Sequence, residues 1–184
     1  HRGPDESGSF LSADGRCAIG FQRLAVIDPV GSHQPMTSDG GEVTLAFNGE
    51  IYNFKALKEE FLRDAAPLKT HGDTEVLLRL YERQGEEMLS ALRGMFAMAI
   101  YDRRDNSLFL ARDRMGQKPL WYSRLPDRIV FASEAKALLV HPLISREMNT
   151  QSVGHYLCLG YIPAPDSIWK NIHKLLPGNY LKIK

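Results

Sequence analysis

The spacing of apolar residues changes twice along this chain of 184 residues, and these changes restrict the fold more than any other sequence feature. Near the start, residues 16–26 and 42–47 form short runs rich in β-forming residues, which are typical of strands. Residues 54–92 then carry apolar residues at helical spacing. After Gly94, short strand-like runs return between polar turns. This order predicts an α+β fold with antiparallel strands, without the regular βαβ alternation of a nucleotide-binding sheet.

Helix signals divide the middle of the chain. One helix is predicted to begin at Asn53, and a second to start at Gly72 or Asp73 and to end at Gly85. Helical spacing also marks three shorter segments, 86–92, 133–140 and 151–159, and strands are predicted at 95–101, 108–112, 120–122 and 129–132. Residues 160–178 contain three prolines and are predicted to form an extended connector.

Charge and cysteine content exclude several classes of function. The 23 basic and 22 acidic residues nearly balance and are scattered, which argues against a nucleic-acid-binding surface. We find neither an apolar run long enough to span a membrane nor a signal-peptide pattern. The two cysteines, Cys17 and Cys158, lack metal-ligand spacing, and both are interpreted as packing residues. A cytoplasmic protein without a metal site in this domain is predicted.

Asn48-Gly49 supports two interpretations. An Asn-Gly pair between apolar runs is the strongest short signal for a hairpin turn. The same pair could instead supply an oxyanion hole, with an amide side chain and a backbone N–H that glycine leaves accessible. Glu50, which follows directly, is read as a solvated turn charge.

Asp73 and Arg23 also have both a structural and a functional interpretation. Asp73 fits a helix N-cap, but its carboxylate could also bind a substrate ammonium group. Arg23 fits a surface ion pair, but its guanidinium could also bind a carboxylate. The cluster Arg112-Asp113-Arg114 before a glycine is interpreted as an ion-paired turn.

Eight motifs follow one another along the chain. They are His1-Arg2-Gly3-Pro4-Asp5, Arg23-Leu24-Ala25-Val26-Ile27-Asp28, Gln34-Pro35-Met36, Phe47-Asn48-Gly49-Glu50-Ile51-Tyr52-Asn53, Gly72-Asp73-Thr74-Glu75, Gly94-Met95-Phe96-Ala97, residues 111–120 and Ser133-Glu134-Ala135-Lys136. In this order they resemble the class II glutamine amidotransferase domain of glutamine-hydrolysing asparagine synthetases. The Pro-Asp after His-Arg-Gly and the Glu-Ile-Tyr after Asn-Gly favour this branch over the amidotransferases of sugar-phosphate and purine synthesis.

The resemblance implies an N-terminal-nucleophile hydrolase fold, a four-layer αββα sandwich with two antiparallel sheets. Residues 1–184 are then one amidotransferase domain, with 160–184 as a connector toward a C-terminal synthetase domain. That domain is expected to use ATP and Mg²⁺, whereas no cofactor is expected in this one. The implied partners are glutamine, the synthetase domain of the same protein and a second copy in a homodimer, without nucleic acid or membrane.

The resemblance also assigns residues. It places Arg23 on the α-carboxylate of glutamine, Asp73 on its α-ammonium group, and Glu50 near the polar end of the substrate. Asn48 and Gly49 become the oxyanion hole. The pocket is further lined by the segment Leu24, Ala25, Val26 and Ile27.

One part of the family pattern is not matched. The family's nucleophile is an N-terminal cysteine, a few tens of residues before the His-Arg-Gly-Pro-Asp motif, whose α-amine acts as the base. Here that motif begins at His1, and Cys17 matches a strand position. We therefore expect residues 1–184 alone not to hydrolyse glutamine. A related synthetase with another acceptor, and a non-catalytic glutamine-binding module, are the alternative functions.

Overall fold

A computed structural model describes residues 3–184, so His1 and Arg2 of the first motif lie outside the described residues. The chain forms two compact units. One comprises residues 3–110 with Leu181–Lys184, and the other comprises Ala111–Tyr180.

The helices and strands alternate irregularly along the chain, as an α+β fold requires. A 3₁₀ helix, Gly85–Ser90, follows the second helix. The other elements are, in order, β1 (Glu6–Leu11), β2 (Ala18–Arg23), β3 (Met36–Thr37), β4 (Val43–Ile51), α1 (Phe54–Phe61), α2 (Asp73–Gln84), β5 (Gly94–Asp102), β6 (Ser107–Arg112), β7 (Trp121–Arg124), β8 (Ile129–Ala132), α3 (Ala135–Leu138), α4 (Thr150–Leu159), β9 (His173–Lys174) and β10 (Tyr180–Ile183).

The main sheet has five strands in the order β10-β6-β5-β4-β3. Its central pair, β4 and β5, is antiparallel and in register from Val43 opposite Asp102 to Ile51 opposite Gly94. On its other edge β4 pairs with β3 over two residues only, Thr44 and Leu45. Among residues 3–184, most of this edge of β4 is therefore not paired with a strand. A separate two-stranded sheet joins β1 to β2, with Glu6 opposite Arg23.

Helix α2 fixes one end of the main sheet. It packs against α1, β3 and β4, and its apolar side, including Leu77 and Leu80, is fully buried. The Tyr81 ring packs against Phe109 of β6, with ring centroids 5.6 Å apart. The residues whose apolar spacing predicts this helix therefore form the side that packs into the core.

The second unit contains the three-stranded sheet β8-β7-β9. Its core is a small cluster around Leu138, Ile144 and Ile172. Helix α4 is capped by the Asn149 side chain, which accepts hydrogen bonds from two backbone N–H groups of the first turn. Of its residues, only Ser152 is buried.

The structure confirms an α+β fold with antiparallel sheets, and the predicted helices and central strands are present. Among residues 3–184 the strands divide into three sheets. Strand β1 was not predicted, because its glycine and serines lower its β-propensity. The segment 160–184 contains β9 and β10, and its role as a connector stays a prediction. Within the described part of the chain, no helix has the length and apolar character needed to cross a membrane.

Candidate functional site

Asn48 and Gly49 lie inside β4, not in a turn. They pair with Ala97 and Phe96 of β5, and the strand continues to Ile51. The hairpin-turn interpretation is therefore wrong. A side chain at Gly49 would place its Cβ 2.0 Å from the carbonyl oxygen of Met95, so the close approach of β5 requires glycine here.

The Gly49 N–H points away from β5. Tyr52 N–H donates to the carbonyl of Arg93 across the ladder (2.8 Å), so even-numbered residues of β4 form the hydrogen-bonded pairs with β5. In an antiparallel ladder, alternate residues direct their N–H groups to opposite edges. The odd-numbered residues, Gly49 included, therefore direct their N–H groups toward the edge that β3 leaves mostly unpaired.

Two side chains bind the N–H groups on either side of Gly49 along this edge. The buried Gln34 amide oxygen accepts from Phe47 N–H (2.6 Å), and Asp73 Oδ2 accepts from Ile51 N–H (2.9 Å). The Gln34-Pro35-Met36 motif thus has a role that sequence reasoning did not assign. The Gly49 N–H lies between these two contacts.

Asp73 connects the start of α2 to the end of β4. The N-cap residue is Gly72, and the carboxylate of Asp73 is 3% exposed. Burial raises the pKa of Asp73, and the nearby charge of Glu50 adds to this shift, while the hydrogen bond from Ile51 opposes it. The cap interpretation of Asp73 is therefore replaced by a buried carboxylate beside Asn48-Gly49-Glu50, and half-buried Glu50 is not a turn charge.

Arg23 is the last residue of β2, and its guanidinium is buried rather than on the surface. It donates to Glu6 (3.1 Å) and to the carbonyls of Ile27 (3.4 Å), Asp28 (2.8 Å) and Pro29 (2.8 Å). These bonds fix the loop that follows β2. The expected lining residues Leu24 and Val26 are largely exposed, while Ala25 and Ile27 are half-buried.

Glu6 is a residue that sequence reasoning missed. Its carboxylate binds Arg23 and also the His33 ring at 2.7 Å. Partial burial opposes ionisation, but the hydrogen bonds from His33 and Arg23 hold the pKa of Glu6 below its usual value. Glu6 follows the Gly3-Pro4-Asp5 motif, but its partners are distant in sequence, so no local signal identifies it.

Asp28 links the Arg23 loop to the start of α2. Its backbone carbonyl accepts from Arg23, and its carboxylate accepts from the N–H groups of Gly31 (3.0 Å) and His71 (2.8 Å). The hydrogen bond from His71 is the main cause that lowers the pKa of Asp28. Since His71 stands two residues before Asp73, the structure brings the Arg23 loop and Asp73 into one connected region of the first unit.

The remaining candidates lie outside this region. Burial raises the pKa of the Cys17 thiol to about 11, which keeps it protonated and unreactive. Cys158 is exposed on α4, so the expectation that it packs in the interior is wrong.

The predicted ion-paired turn at Arg112-Asp113-Arg114 is held by hydrogen bonds to the backbone. Arg112 donates to three carbonyls, and Asp113 accepts from three N–H groups. Residues 3–184 contain no cluster of side chains suited to a metal ion.

Known proteins match the whole chain. The model of the glutamine amidotransferase domain family matches residues 1–184. The chain belongs to this family. Asparagine synthetase [glutamine-hydrolyzing] 1 of Bacillus subtilis is 38% identical to this amidotransferase domain over 184 residues, covering all of this chain and 29% of that protein. A putative asparagine synthetase [glutamine-hydrolyzing] of Mycobacterium bovis is 38% identical over 195 residues, again across the whole chain and 30% of its own length.

A solved structure supports the same conclusion. The glutamine phosphoribosylpyrophosphate amidotransferase from B. subtilis matches 67% of this amidotransferase domain and 29% of its own chain, with a TM-score of 0.56 and 32% identity. The N-terminal-nucleophile hydrolase fold is thereby confirmed. The domain spans under a third of the length of the relatives it matches.

Proposed function

We propose that this amidotransferase domain binds free glutamine and forms the ammonia-supplying part of a longer glutamine-hydrolysing asparagine synthetase. In that protein, the ammonia would amidate an ATP-activated aspartate. The names of the relatives and their greater length support this proposal. ATP and Mg²⁺ belong, in this proposal, to the synthetase part.

The observation that carries the proposal is the open edge of β4. The Gly49 N–H points to this edge beside the buried carboxylate of Asp73, which is held through Ile51. An amide carbonyl beside Gly49 would gain a hydrogen bond that strengthens as its oxygen becomes negative. The Asn48 side chain would supply a second donor. These two donors are the proposed oxyanion hole.

The proposal also includes a binding residue for each charged end of glutamine. The α-ammonium group binds Asp73, where it would compensate a buried negative charge. The α-carboxylate binds at Arg23, whose charge is already shared with the carboxylate of Glu6. Glu50 and the backbone of residues 24–27 complete the proposed pocket.

Calorimetric titration of the 184-residue chain with glutamine tests the binding role. Asp73→Asn should weaken binding about tenfold or more, because it removes a hydrogen bond between charged groups. Asp127→Asn is the matched control, since this carboxylate is exposed in the second unit and pairs with Arg128. Equal affinities of wild type and Asp73→Asn would contradict the assignment.

Activity is tested in the full-length protein supplied with aspartate and ATP. Asn48→Ala should lower glutamine-dependent turnover by about 10²–10³-fold, as loss of one oxyanion donor does. Turnover with ammonia should be preserved. An equal loss with ammonia would count against the oxyanion role, and a product other than asparagine would favour a synthetase with another acceptor.

The expectation that residues 1–184 alone do not hydrolyse glutamine stays a prediction. Cys17 is protonated at neutral pH, which argues against its use as a nucleophile. Glutamate release by this chain above the rate in buffer would overturn the expectation, while release by the full-length protein separates an enzyme from a binding module.

A further inference from the structure

Ser32 has a buried hydroxyl without a hydrogen-bond partner among residues 3–184. The residue is 1% exposed, and its backbone N–H donates to the carbonyl of Asp28. An unsatisfied buried hydroxyl is energetically unfavourable. Buried polar atoms in native proteins almost always have a hydrogen-bond partner, so this hydroxyl requires an explanation, and a bound ligand group is one.

The hydroxyl faces the start of α2. A Cβ built on Gly72 would lie 2.1 Å from Ser32 Oγ, so the two residues are in direct contact. Gly72 has φ −91° and ψ 170°, which any residue adopts. Glycine is needed there because of the hydroxyl and not because of the backbone. The next residue is Asp73.

The Asp28 carboxylate holds the two backbone segments that meet at Ser32 and Gly72. Asp28 binds the N–H of Gly31, the neighbour of Ser32, and the N–H of His71, the neighbour of Gly72. One carboxylate therefore joins the two loops that meet at this point. The negative charge of Asp73 next to it favours a cationic ligand group over an anionic one.

We propose that Ser32 is a substrate-binding residue whose Oγ accepts a hydrogen bond from the α-ammonium group of bound glutamine, beside the Asp73 carboxylate. This role rests on the proposed function. A hydroxyl lone pair is a suitable acceptor for an ammonium group, and the bond would satisfy an oxygen that the protein leaves unpaired. It also gives the pocket a preference for ligands that carry an α-amino group.

Ser32→Ala tests the proposal by calorimetric titration of the 184-residue chain with glutamine. We expect the affinity to fall about tenfold, since the bond involves a charged donor. Ser152→Ala is the matched control, because Ser152 in the second unit is also buried with an unpartnered hydroxyl. That variant should bind glutamine as wild type does. Ser32→Gly provides a second variant, with melting temperatures measured for all of them.

A ligand without the α-amino group separates binding from structure. Glutaric acid monoamide should bind wild type and Ser32→Ala with equal affinity, because neither complex contains the proposed bond. An unchanged affinity of Ser32→Ala for glutamine would overturn the role, and so would an equal loss for both ligands. If Asp73→Asn loses glutamine while Ser32→Ala does not, only the Ser32 role fails. A wild-type chain that binds no glutamine defeats the proposed function together with this role.

Discussion

Each unit of the chain contains an arginine that binds backbone carbonyls and a buried aspartate that binds backbone N–H groups. In the first unit these are Arg23 and Asp73, and in the second they are Arg112 and Asp113. In the second unit both carboxylate oxygens and two of the three guanidinium bonds bind the backbone of the turn itself, and the third guanidinium bond goes to the carbonyl of Leu175. This pair stabilises the turn through six hydrogen bonds to the backbone.

The pair in the first unit differs in how its two charges are compensated. Arg23 shares its charge with Glu6, and burial raises the pKa of Asp73. A buried carboxylate with a raised pKa is one whose charge the protein does not fully compensate. Similar residues therefore serve stability in one unit and, by our proposal, ligand binding in the other.

The largest effect is expected from Asp113→Asn. Oδ1 of Asp113 accepts from Met115 and Gln117, and Oδ2 accepts from Lys118. An asparagine has a single acceptor oxygen, so at least one N–H group would face an amide donor. We expect a loss of about 2–3 kcal/mol in the free energy of unfolding, measured with urea. A loss below that of the exposed control Asp127→Asn would contradict the role of the carboxylate.

Alanine substitutions at Gly116, near Asp113, and at Gly72, before Asp73, should differ in whether a second substitution restores the lost stability. Gly116 has φ +65°, and its Cβ would lie 2.7 Å from Pro177 Cγ. Gly116→Ala should cost about 1–2 kcal/mol or more, and Pro177→Ala should not rescue it, because the backbone strain remains. Gly72→Ala should cost about 1–3 kcal/mol through its contact with Ser32.

The stability lost in Gly72→Ala should be restored by one specific second substitution. Adding Ser32→Gly to Gly72→Ala removes the hydroxyl that the new methyl group meets, so most of the lost stability should return. Chemical denaturation of the two single variants and the double variant measures this coupling. Additive losses would show that another contact excludes a side chain at residue 72.

Asp73→Asn should leave the free energy of unfolding at neutral pH unchanged or raise it slightly. The substitution removes a buried charge and keeps an oxygen that can accept from Ile51. An aspartate-to-asparagine substitution should therefore destabilise the turn in the second unit but not the first unit, where by our proposal it weakens glutamine binding. A loss as large as that of Asp113→Asn would remove the contrast between the two units.

The smallest expected effect is on the pH dependence of unfolding. Because the pKa of Asp73 is raised in the folded state, that state holds its proton to higher pH than the unfolded chain does. Stability from this group is therefore present at acidic pH and is lost as the pH rises through the folded pKa. Relative to wild type, Asp73→Asn should gain stability as the pH increases from the ordinary aspartate range toward neutrality.

Asp127 provides a control with the opposite sign. A hydrogen bond from Arg128 lowers the pKa of this exposed carboxylate. Its contribution is present at neutral pH and is lost as the pH falls. The difference between wild type and Asp127→Asn should therefore shrink on acidification, and a trend like that of Asp73→Asn would contradict both assignments.

Local patterns in the sequence predict α2 and the core strands, because helical spacing and runs of β-forming residues depend directly on which residues are buried. The hairpin-turn interpretation of Asn48-Gly49 failed for a physical reason. Glycine is needed both in a tight turn and where two strands approach closely, so the sequence pair alone does not distinguish the two. The contacts of Glu6, Asp28 and Gln34 could not be read locally. Glu6 and Arg23 are hydrogen-bonded although 17 positions separate them in the sequence, and 43 positions separate Asp28 from His71.

The short pairing of β3 has a consequence for self-association. An unpaired strand edge exposes a regular row of N–H and C=O groups to which a strand from another molecule can add. Beyond Leu45, the Gln34 and Asp73 side chains take the N–H groups of Phe47 and Ile51 and break up this row. An incoming strand would find only Gly49 between two occupied positions. We therefore expect the Gln34 and Asp73 side chains to protect this edge against intermolecular β-sheet formation.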